Sequence, residues 1–306
     1  MYKFDFRLLI IACLHCGILS LVGAGESVGA GKVMVGESGF DFLVGDVDAY
    51  AVAKYTREGK RVWEYTEVRA IDAWLMADGN VLVAFLPSDK TAGKSGVRIV
   101  SPDKKTLFEY LAPEGEVMSC CPLTNGNVLV AETHMGRVVE VDRKGTVVSA
   151  FDVKAKGMGH KAIRMIRLTQ EGTVLVAECY SHFLREYSRE GKFLREFPVK
   201  MAYCAQRLAN GNTLITGYNP AVVVEMDREG KVIWQVGAAD LPSDFGVANF
   251  CEVHRLSNGN TLVSNCIRKS VKDKVVIFEI TPDKKVVWQL RDSEVIKGLT
   301  SVKPMP

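Results

Sequence analysis

The sequence predicts an all-β fold: six four-stranded antiparallel blades in a ring, a β-propeller, closed by a C-terminal strand that completes the first blade. Two recurring turn signals and their spacing predict it. The first is an Asn-Gly-Asn turn between apolar runs. Asp78-Gly79-Asn80 precedes Val81-Leu82-Val83, and Asn125-Gly126-Asn127 precedes Val128-Leu129-Val130. Asn210-Gly211-Asn212 and Asn258-Gly259-Asn260 repeat it, and Gln170-Glu171-Gly172-Thr173 is a copy with one extra residue. Asn-Gly between apolar stretches predicts a tight hairpin with positive φ at both central residues. The second signal is a charged turn between alternating strands. It occurs at Arg57-Glu58-Gly59-Lys60, Pro102-Asp103-Lys104-Lys105, Arg143-Lys144-Gly145-Thr146, Arg189-Glu190-Gly191-Lys192, Arg228-Glu229-Gly230-Lys231 and Pro282-Asp283-Lys284-Lys285. Two hairpins make four strands, and their recurrence every ~40–45 residues is the period of a propeller blade.

There are five turns of the first kind and six of the second. Circular closure accounts for the difference. Gly298-Leu299-Thr300-Ser301-Val302 reads as an inner strand with no hairpin after it, able to complete the blade begun near the N-terminus. Closure also removes the open edges a sheet would expose. Two segments compete for the second strand of that first blade, residues 33–35 and residues 42–44. Trp63, Trp234 and Trp288 stand four residues after the turn Gly59, Gly230 or Lys284, with Phe108 in the same place after Lys104. Aromatics at one repeat position predict packing between blades.

These Asn-Gly-Asn hairpins and Asp-x-x-Gly-Lys turns followed by Trp resemble the repeats of secreted bacterial propellers of the PQQ-like and NHL-like types. They are also similar to arylsulfotransferase-type repeats. The resemblance runs from the first blade to the last and implies the fold. An arylsulfotransferase would use a channel histidine as nucleophile, for which His160 and His254 are the candidates. That family's active-site motif is not matched here, so no role is carried over. Cys120-Cys121 is a vicinal pair of the kind some quinoprotein dehydrogenases carry as a disulfide. No cofactor motif accompanies it, and PQQ is not expected.

Residues 1–24 read as a signal peptide: a short basic start, an apolar stretch at 8–22, and small residues before a cut at Ala24, with Ala30 a second candidate. The reading that follows is an exported protein, periplasmic or extracellular, with no transmembrane span after cleavage and one domain over 31–306. Cys13 offers a lesser alternative as a lipoprotein anchor. The net charge of +3 on 306 residues, with no Lys/Arg stripe, excludes a nucleic-acid partner as the expectation.

In this topology the first strand of each blade lines the central channel and runs away from the ligand face. Residues at the start of these strands, and in loops between second and third strands, share that face. In the fourth blade, whose turn has one extra residue, the hairpin places Arg164 opposite Glu178 and His160 opposite His182; counting the other hairpins as two-residue turns places Ser119 opposite Glu132 and Glu252 opposite Asn265. The same count brings His134, His160, Arg164, Glu178, Tyr180 and His182 to one polar pocket on blades three and four. Asn219, in the corresponding loop of the fifth blade, joins the expected ligand-binding set of Glu132, His134, Glu178, Tyr180, Glu252 and Asn265. His160, Arg164, His182 and His254 are the catalytic candidates, with histidine as acid or base and Arg164 anchoring an anion. A divalent metal on His160, His182 and Glu178 is a further reading, unsupported by any short metal motif. Cys251 falls opposite Cys266, within disulfide reach. Both patterns can also be structural: charge pairs satisfying one another around a wet channel, and buried thiols. Three functions stay open. One is binding of a polar or anionic, carbohydrate-related small ligand at the channel mouth. The others are a lyase, hydrolase or transferase on the same cluster, and a protein-interaction scaffold. No nucleophile elbow, phosphate loop or zinc-protease motif demands catalysis.

Overall fold

The computed structural model describes residues 32–35, 39–267, 274–292 and 296–305. The expected signal peptide, its cleavage sites and Cys13 lie outside them. Among the described residues no helix is long and apolar enough to cross a membrane.

The strands follow in chain order. Strand β1 is Lys32–Val35. Blade one takes β2 (Asp41–Asp46), β3 (Ala51–Tyr55) and β4 (Arg61–Tyr65). Blade two is β5 (Arg69–Leu75), β6 (Val81–Leu86), β7 (Gly96–Val100) and β8 (Thr106–Leu111). Blade three is β9 (Val117–Pro122), β10 (Val128–Glu132), β11 (Arg137–Val141) and β12 (Val147–Asp152). Blade four is β13 (Ile166–Leu168), β14 (Val174–Glu178), β15 (Phe183–Tyr187) and β16 (Phe193–Pro198). Blade five is β17 (Ala202–Arg207), β18 (Thr213–Gly217), β19 (Val222–Met226) and β20 (Val232–Gly237). Blade six is β21 (Phe250–Arg255), β22 (Thr261–Asn265), β23 (Ile277–Ile280) and β24 (Val286–Asp292). Strand β25 (Leu299–Met305) pairs with β2 and completes blade one, closing the ring as the turn counts require. The competition for blade one's second strand resolves to residues 42–44, inside β2. Residues 33–35 instead lie in β1, a fifth strand on the outer edge of blade six.

The six blades form a ring, each inner pair of strands packing on the next blade's inner strand. The second strands are therefore covered on both faces, and β6, β10, β14, β18 and β22 are buried along their whole length. This explains why they read as unbroken apolar runs rather than alternating ones. The aromatic repeat position packs between blades: Trp63 and Trp234 each donate from Nε1 to the carbonyl of Pro102 and Pro282 in the next blade, at 2.8 Å. Trp288 is fully buried against Phe40 and Phe42.

Two features correct the predicted register. The Asn-Gly-Asn turns are three-residue loops. Leu123 N donates to Asn127 O and Leu256 N to Asn260 O, at 2.9 and 2.8 Å. Only the glycine has positive φ, between 80° and 87° at Gly79, Gly126, Gly172, Gly211 and Gly259. The preceding Asn or Asp accepts the backbone N–H two residues on, as Asn125 does from Asn127 at 3.0 Å. Against a two-residue turn this shifts the pairings of blades three and six by one, while blade four keeps the expected sum. The second feature is a β-bulge near the start of the inner strand in every blade. It is seen between Ala70 and Asp72, opposite Ala131/Glu132, between Ala202 and Cys204, between Phe250 and Val253, and opposite Gly45/Asp46. In blade four it appears as Arg164 N donating to Ala177 O while Ala177 N donates to Met165 O. Hence Ser119 faces Ala131, Glu132 faces Val117, and Asn265 faces Phe250 rather than Glu252. Cys251 falls on the bulge and not opposite Cys266, yet the two buried thiols lie in one cluster and in hydrogen-bonding contact.

Candidate ligand site at the channel mouth

Aligning the six inner strands on their bulges gives three rings of side chains, stacked down the channel. Nearest the mouth, the bulged positions are Ile71, Met118, Arg164, Tyr203, Cys251 and Thr300. Next come Asp72, Ser119, Met165, Cys204, Glu252 and Ser301, opposite small residues such as Ala84, Ala131 and Gly45. The third ring is Trp74, Cys121, Arg167, Gln206, His254 and Lys303, each opposite a leucine.

The two deeper rings form a closed plug. Asp72 accepts hydrogen bonds from Ser119 Oγ (2.6 Å), Arg167 Nη1 (2.9 Å) and Lys303 Nζ (2.8 Å). Glu252 accepts from Lys303 Nζ (2.8 Å), Arg167 Nη2 and Val302 N (2.9 Å). Two acids and two bases balance, and none of the four side chains is more than 7% exposed. The cations also lie over the Trp74 ring, at 5.2 Å for Arg167 and 4.3 Å for Lys303. This buried, charge-neutral cluster occupies the channel centre, its two acids held by its own two cations. Glu252 therefore belongs to the plug.

His254 lies under this plug, Nε2 3.3 Å from Glu252 Oε1. Burial pushes its pKa below the usual value against the pull of Glu252. A histidine depressed by folding contributes its stability above its unfolded pKa of about 6.5, and that contribution is lost as pH falls through the folded value. The melting temperature is therefore expected to drop as pH falls below about 6.5. His254→Gln should flatten that drop in a calorimetric pH series, and an unchanged profile would rule out His254 as its source.

The mouth ring is chemically different. Arg164 stands with its guanidinium 5.7 Å from the Tyr203 ring, Nη1 3.9 Å from Met118 Sδ, and in hydrogen-bonding contact with the Cys179 thiol. Its Nε is shielded from solvent with no hydrogen-bond partner. Among the described residues no carboxylate lies within ion-pair distance of it, whereas Arg167, Arg185, Arg207 and Arg255 all have one. Burial pushes the Cys179 thiol up, so this neighbour stays neutral and supplies no counter-charge. Tyr203 stacks on Tyr218 with centroids 5.2 Å apart and rings 17° from parallel. On the blade-three side, Glu116 Oε2 contacts His160 Nδ1. His160 holds the Glu116 carboxyl below its usual range, against burial, with Arg164 and His134 adding to the effect. His134 reaches this group because Gly115, at φ +67°, leaves it space: a Cβ there would sit 2.2 Å from His134 Cβ.

The structure thus brings His160, Arg164, His134 and Tyr180 to the mouth and sends the others elsewhere. Tyr180 is 37% exposed and close enough to Arg164 to interact with it electrostatically. Glu132 is buried between Tyr110 Oη and Arg137. Glu178 is buried between Arg185, Tyr187 Oη (2.5 Å) and Ser181. The bulge inserts one residue between Arg164 and the strand pairing, so Arg164 and Glu178 do not meet, and Glu132 and Glu178 pin strands together within the ring. Asn265 accepts from Ala248 N and donates to Val275 O, both at 2.9 Å, holding two loops. His182, at φ +65°, accepts Met201 N at 3.1 Å and is exposed. Asn219 is exposed beside Tyr218. His160, His182 and Glu178 consequently have separate partners and do not share a metal. Among the described residues no group of three His, Cys, Asp or Glu has metal-binding geometry. Glu116, Tyr203, Arg167 and Lys303 are the residues the sequence reading missed; aligning inner strands with one bulged residue would have found them.

No family model matches the chain, and no curated protein does. Similar solved structures exist. A protein of unknown function from Bacteroides caccae aligns with TM-score 0.74 and 23% identity, covering 88% of this chain and 99% of that one. A catalytically inactive virginiamycin B lyase from Staphylococcus aureus, solved with quinupristin, aligns with TM-score 0.59 and 12% identity over 86% and 89%. The WD40 β-propeller domain of Doa1 aligns with TM-score 0.56 and 13% identity over 84% and 76%. At these identities what is shared is the propeller fold.

Proposed function

We propose that this propeller binds a small anionic, ring-bearing ligand, such as an acidic carbohydrate, at the channel mouth. The single observation behind this is Arg164, a largely buried cation with aromatic and sulfur neighbours in place of a carboxylate. A largely buried guanidinium without a carboxylate in direct contact is costly, and an incoming carboxylate or sulfate would offset that cost through charge-assisted hydrogen bonds. The stacked Tyr203–Tyr218 pair next to it offers a flat face for a sugar or aromatic ring. The basic and then apolar residues 1–24 support action outside the cytoplasm.

A second reading makes the same mouth a lyase-type site. It is favoured by the Glu116–His160 contact and by the fold shared with virginiamycin B lyase. There Glu116 would orient the imidazole, His160 would take and return a proton, and Arg164 would hold the carboxylate next to the bond that breaks.

Titration calorimetry against uronic acids and aryl carboxylates at fixed ionic strength tests both. Arg164→Ala is expected to weaken binding about tenfold to a hundredfold, the worth of a charge-assisted hydrogen bond. His160→Gln should leave affinity within about twofold while abolishing any turnover, because it removes the proton carrier and not the anchor. Ligand binding that is indifferent to Arg164→Ala would move the site away from the mouth.

A further inference from the structure

On the face opposite the mouth, two seams between blades depart from the repeat, and one of them carries a charged residue. Where the fourth strand of each blade faces the third, four blades have an aromatic: Trp63, Phe108, Trp234 and Trp288. Blade three has Ser149 there, opposite Glu140, and blade four has Arg195, opposite Glu186. Arg195 Nη1 donates to Arg228 O at 3.4 Å, the carbonyl that corresponds to those of Pro102 and Pro282 under the two tryptophans. The seam between blades four and five therefore keeps the hydrogen bond but exchanges an indole for a guanidinium and a proline for an arginine.

The exchange is accompanied by a cavity of about 190 Å³, lined by Arg195, Arg207, Arg228, Glu171, Glu186 and Gly211 among others. Glu186 Oε2 accepts from both Arg195 Nε (2.7 Å) and Arg207 Nη2, while Oε1 accepts from Thr173 Oγ1 (2.5 Å). One carboxylate oxygen thus faces two guanidiniums. In the next seam Glu225 meets Arg255, whose guanidinium sits 5.4 Å from the Trp234 ring. Arg228 lies against Gly211, where a Cβ would come 2.2 Å from its Nε. Three guanidiniums against two carboxylates leave positive charge around the cavity. The Arg207 side chain is only 5% exposed, so water cannot fully solvate its share. Burial pushes the Arg207 pKa down, and Arg195 adds to this against Glu186.

We propose that this seam binds a doubly charged oxyanion, phosphate or sulfate, either free or as the monoester group of a larger molecule, independently of the channel mouth. The forked donors of arginine suit tetrahedral oxyanions, and the cavity stands where four of the six blades place an aromatic. A repeat needs its packing residue in every blade but a binding residue only once.

The test is titration calorimetry with inorganic phosphate, inorganic sulfate and a sulfated monosaccharide, at constant ionic strength and with chloride as reference. One-to-one binding of phosphate or sulfate is expected. Arg195→Trp installs the indole of the other blades; it should keep the melting temperature at or above the unsubstituted protein's and weaken binding at least about tenfold. Arg228→Ala should weaken binding too without filling the cavity, and it decides the matter if Arg195→Trp folds poorly. Repeating the titrations in the Arg164→Ala background removes the channel mouth as a second anion site and should leave one-to-one binding. Tighter binding of the sulfated sugar would assign a monoester ligand, and equal binding a free ion. No binding beyond chloride, or equal binding in the seam variants and the unsubstituted protein, would overturn the proposal.

Discussion

A chain shortened to end at Lys297 is expected to lose cooperative unfolding altogether. The missing strand, β25, is the inner strand of blade one, and all of its partners lie far away in sequence. Its removal exposes the whole edge of β2. It takes away Leu299 and Val302, both essentially fully buried, each worth about 1.5–3 kcal/mol of burial. It also deletes Ser301 and Lys303 from the channel rings, leaving Asp72 and Glu252 with one cation between them. Asp46 loses one anchor of its loop: its carboxylate accepts Gly298 N at 2.9 Å, beside Lys297 N and its own Asp48 and Ala49, which remain. Together these losses match or exceed the ~5–15 kcal/mol by which a domain of this kind is stable. Thermal melting by circular dichroism should show a broad, low-amplitude transition with dye-binding apolar surface. A peptide of residues 298–306 added in excess should restore a sharp melt. A shortened chain that melts cooperatively within a few degrees of the full one would mean that the ring does not depend on this clasp.

The blade count and the closure were legible because they rest on local turn chemistry, which each repeat states for itself. Gly126 or Gly259 marks its own hairpin regardless of the rest of the chain. The rings inside the channel were less legible, because they depend on parity. A three-residue loop read as two shifts every partner by one, and that error alone put Ser119 opposite Glu132 and Cys251 opposite Cys266. The bulge is harder still. It falls on Ile71, Met118, Arg164, Tyr203, Cys251 and Thr300, which share no residue type, so no local signal marks it. It nevertheless decides which arginine does what: Arg164 is turned to the mouth, while Arg167, three residues on, enters the plug. The tell-tale that did survive was variation against a repeating background, which picked out His160 and Arg164. The same reasoning, applied to the aromatic position of the fourth strand, would have picked out Ser149 and Arg195, the second of them charged.

The second large effect is expected from Lys303→Met, which keeps β25 and its length but removes one charge from the plug. Asp72 and Glu252 are both wholly buried, and Lys303 Nζ bonds each at 2.8 Å. Breaking a buried ion pair from one side costs about 3–5 kcal/mol, since the partner is left desolvated without compensation. Lys303→Met should therefore lose about that much in denaturant unfolding, while the double variant Asp72→Asn/Lys303→Met, which restores charge balance with Arg167 and Glu252, should recover a clear part of it. Additive losses would show that the two groups do not act as a unit. The acid limb makes a sharper test. Burial alone would raise the Glu252 pKa, yet Lys303 and Arg167, in that order, hold it well below the ordinary carboxylate value. A depressed carboxylate contributes stability that is present above its unfolded pKa of about 4.3 and is lost as pH falls through the folded value. In the unsubstituted protein that loss falls well below about pH 4. Without Lys303 the strongest attraction on Glu252 is gone, its folded pKa climbs, and acid unfolding should begin at higher pH. An acid midpoint that stays in place would mean that Arg167 alone can hold the carboxylate ionised, and that the plug needs one cation rather than two.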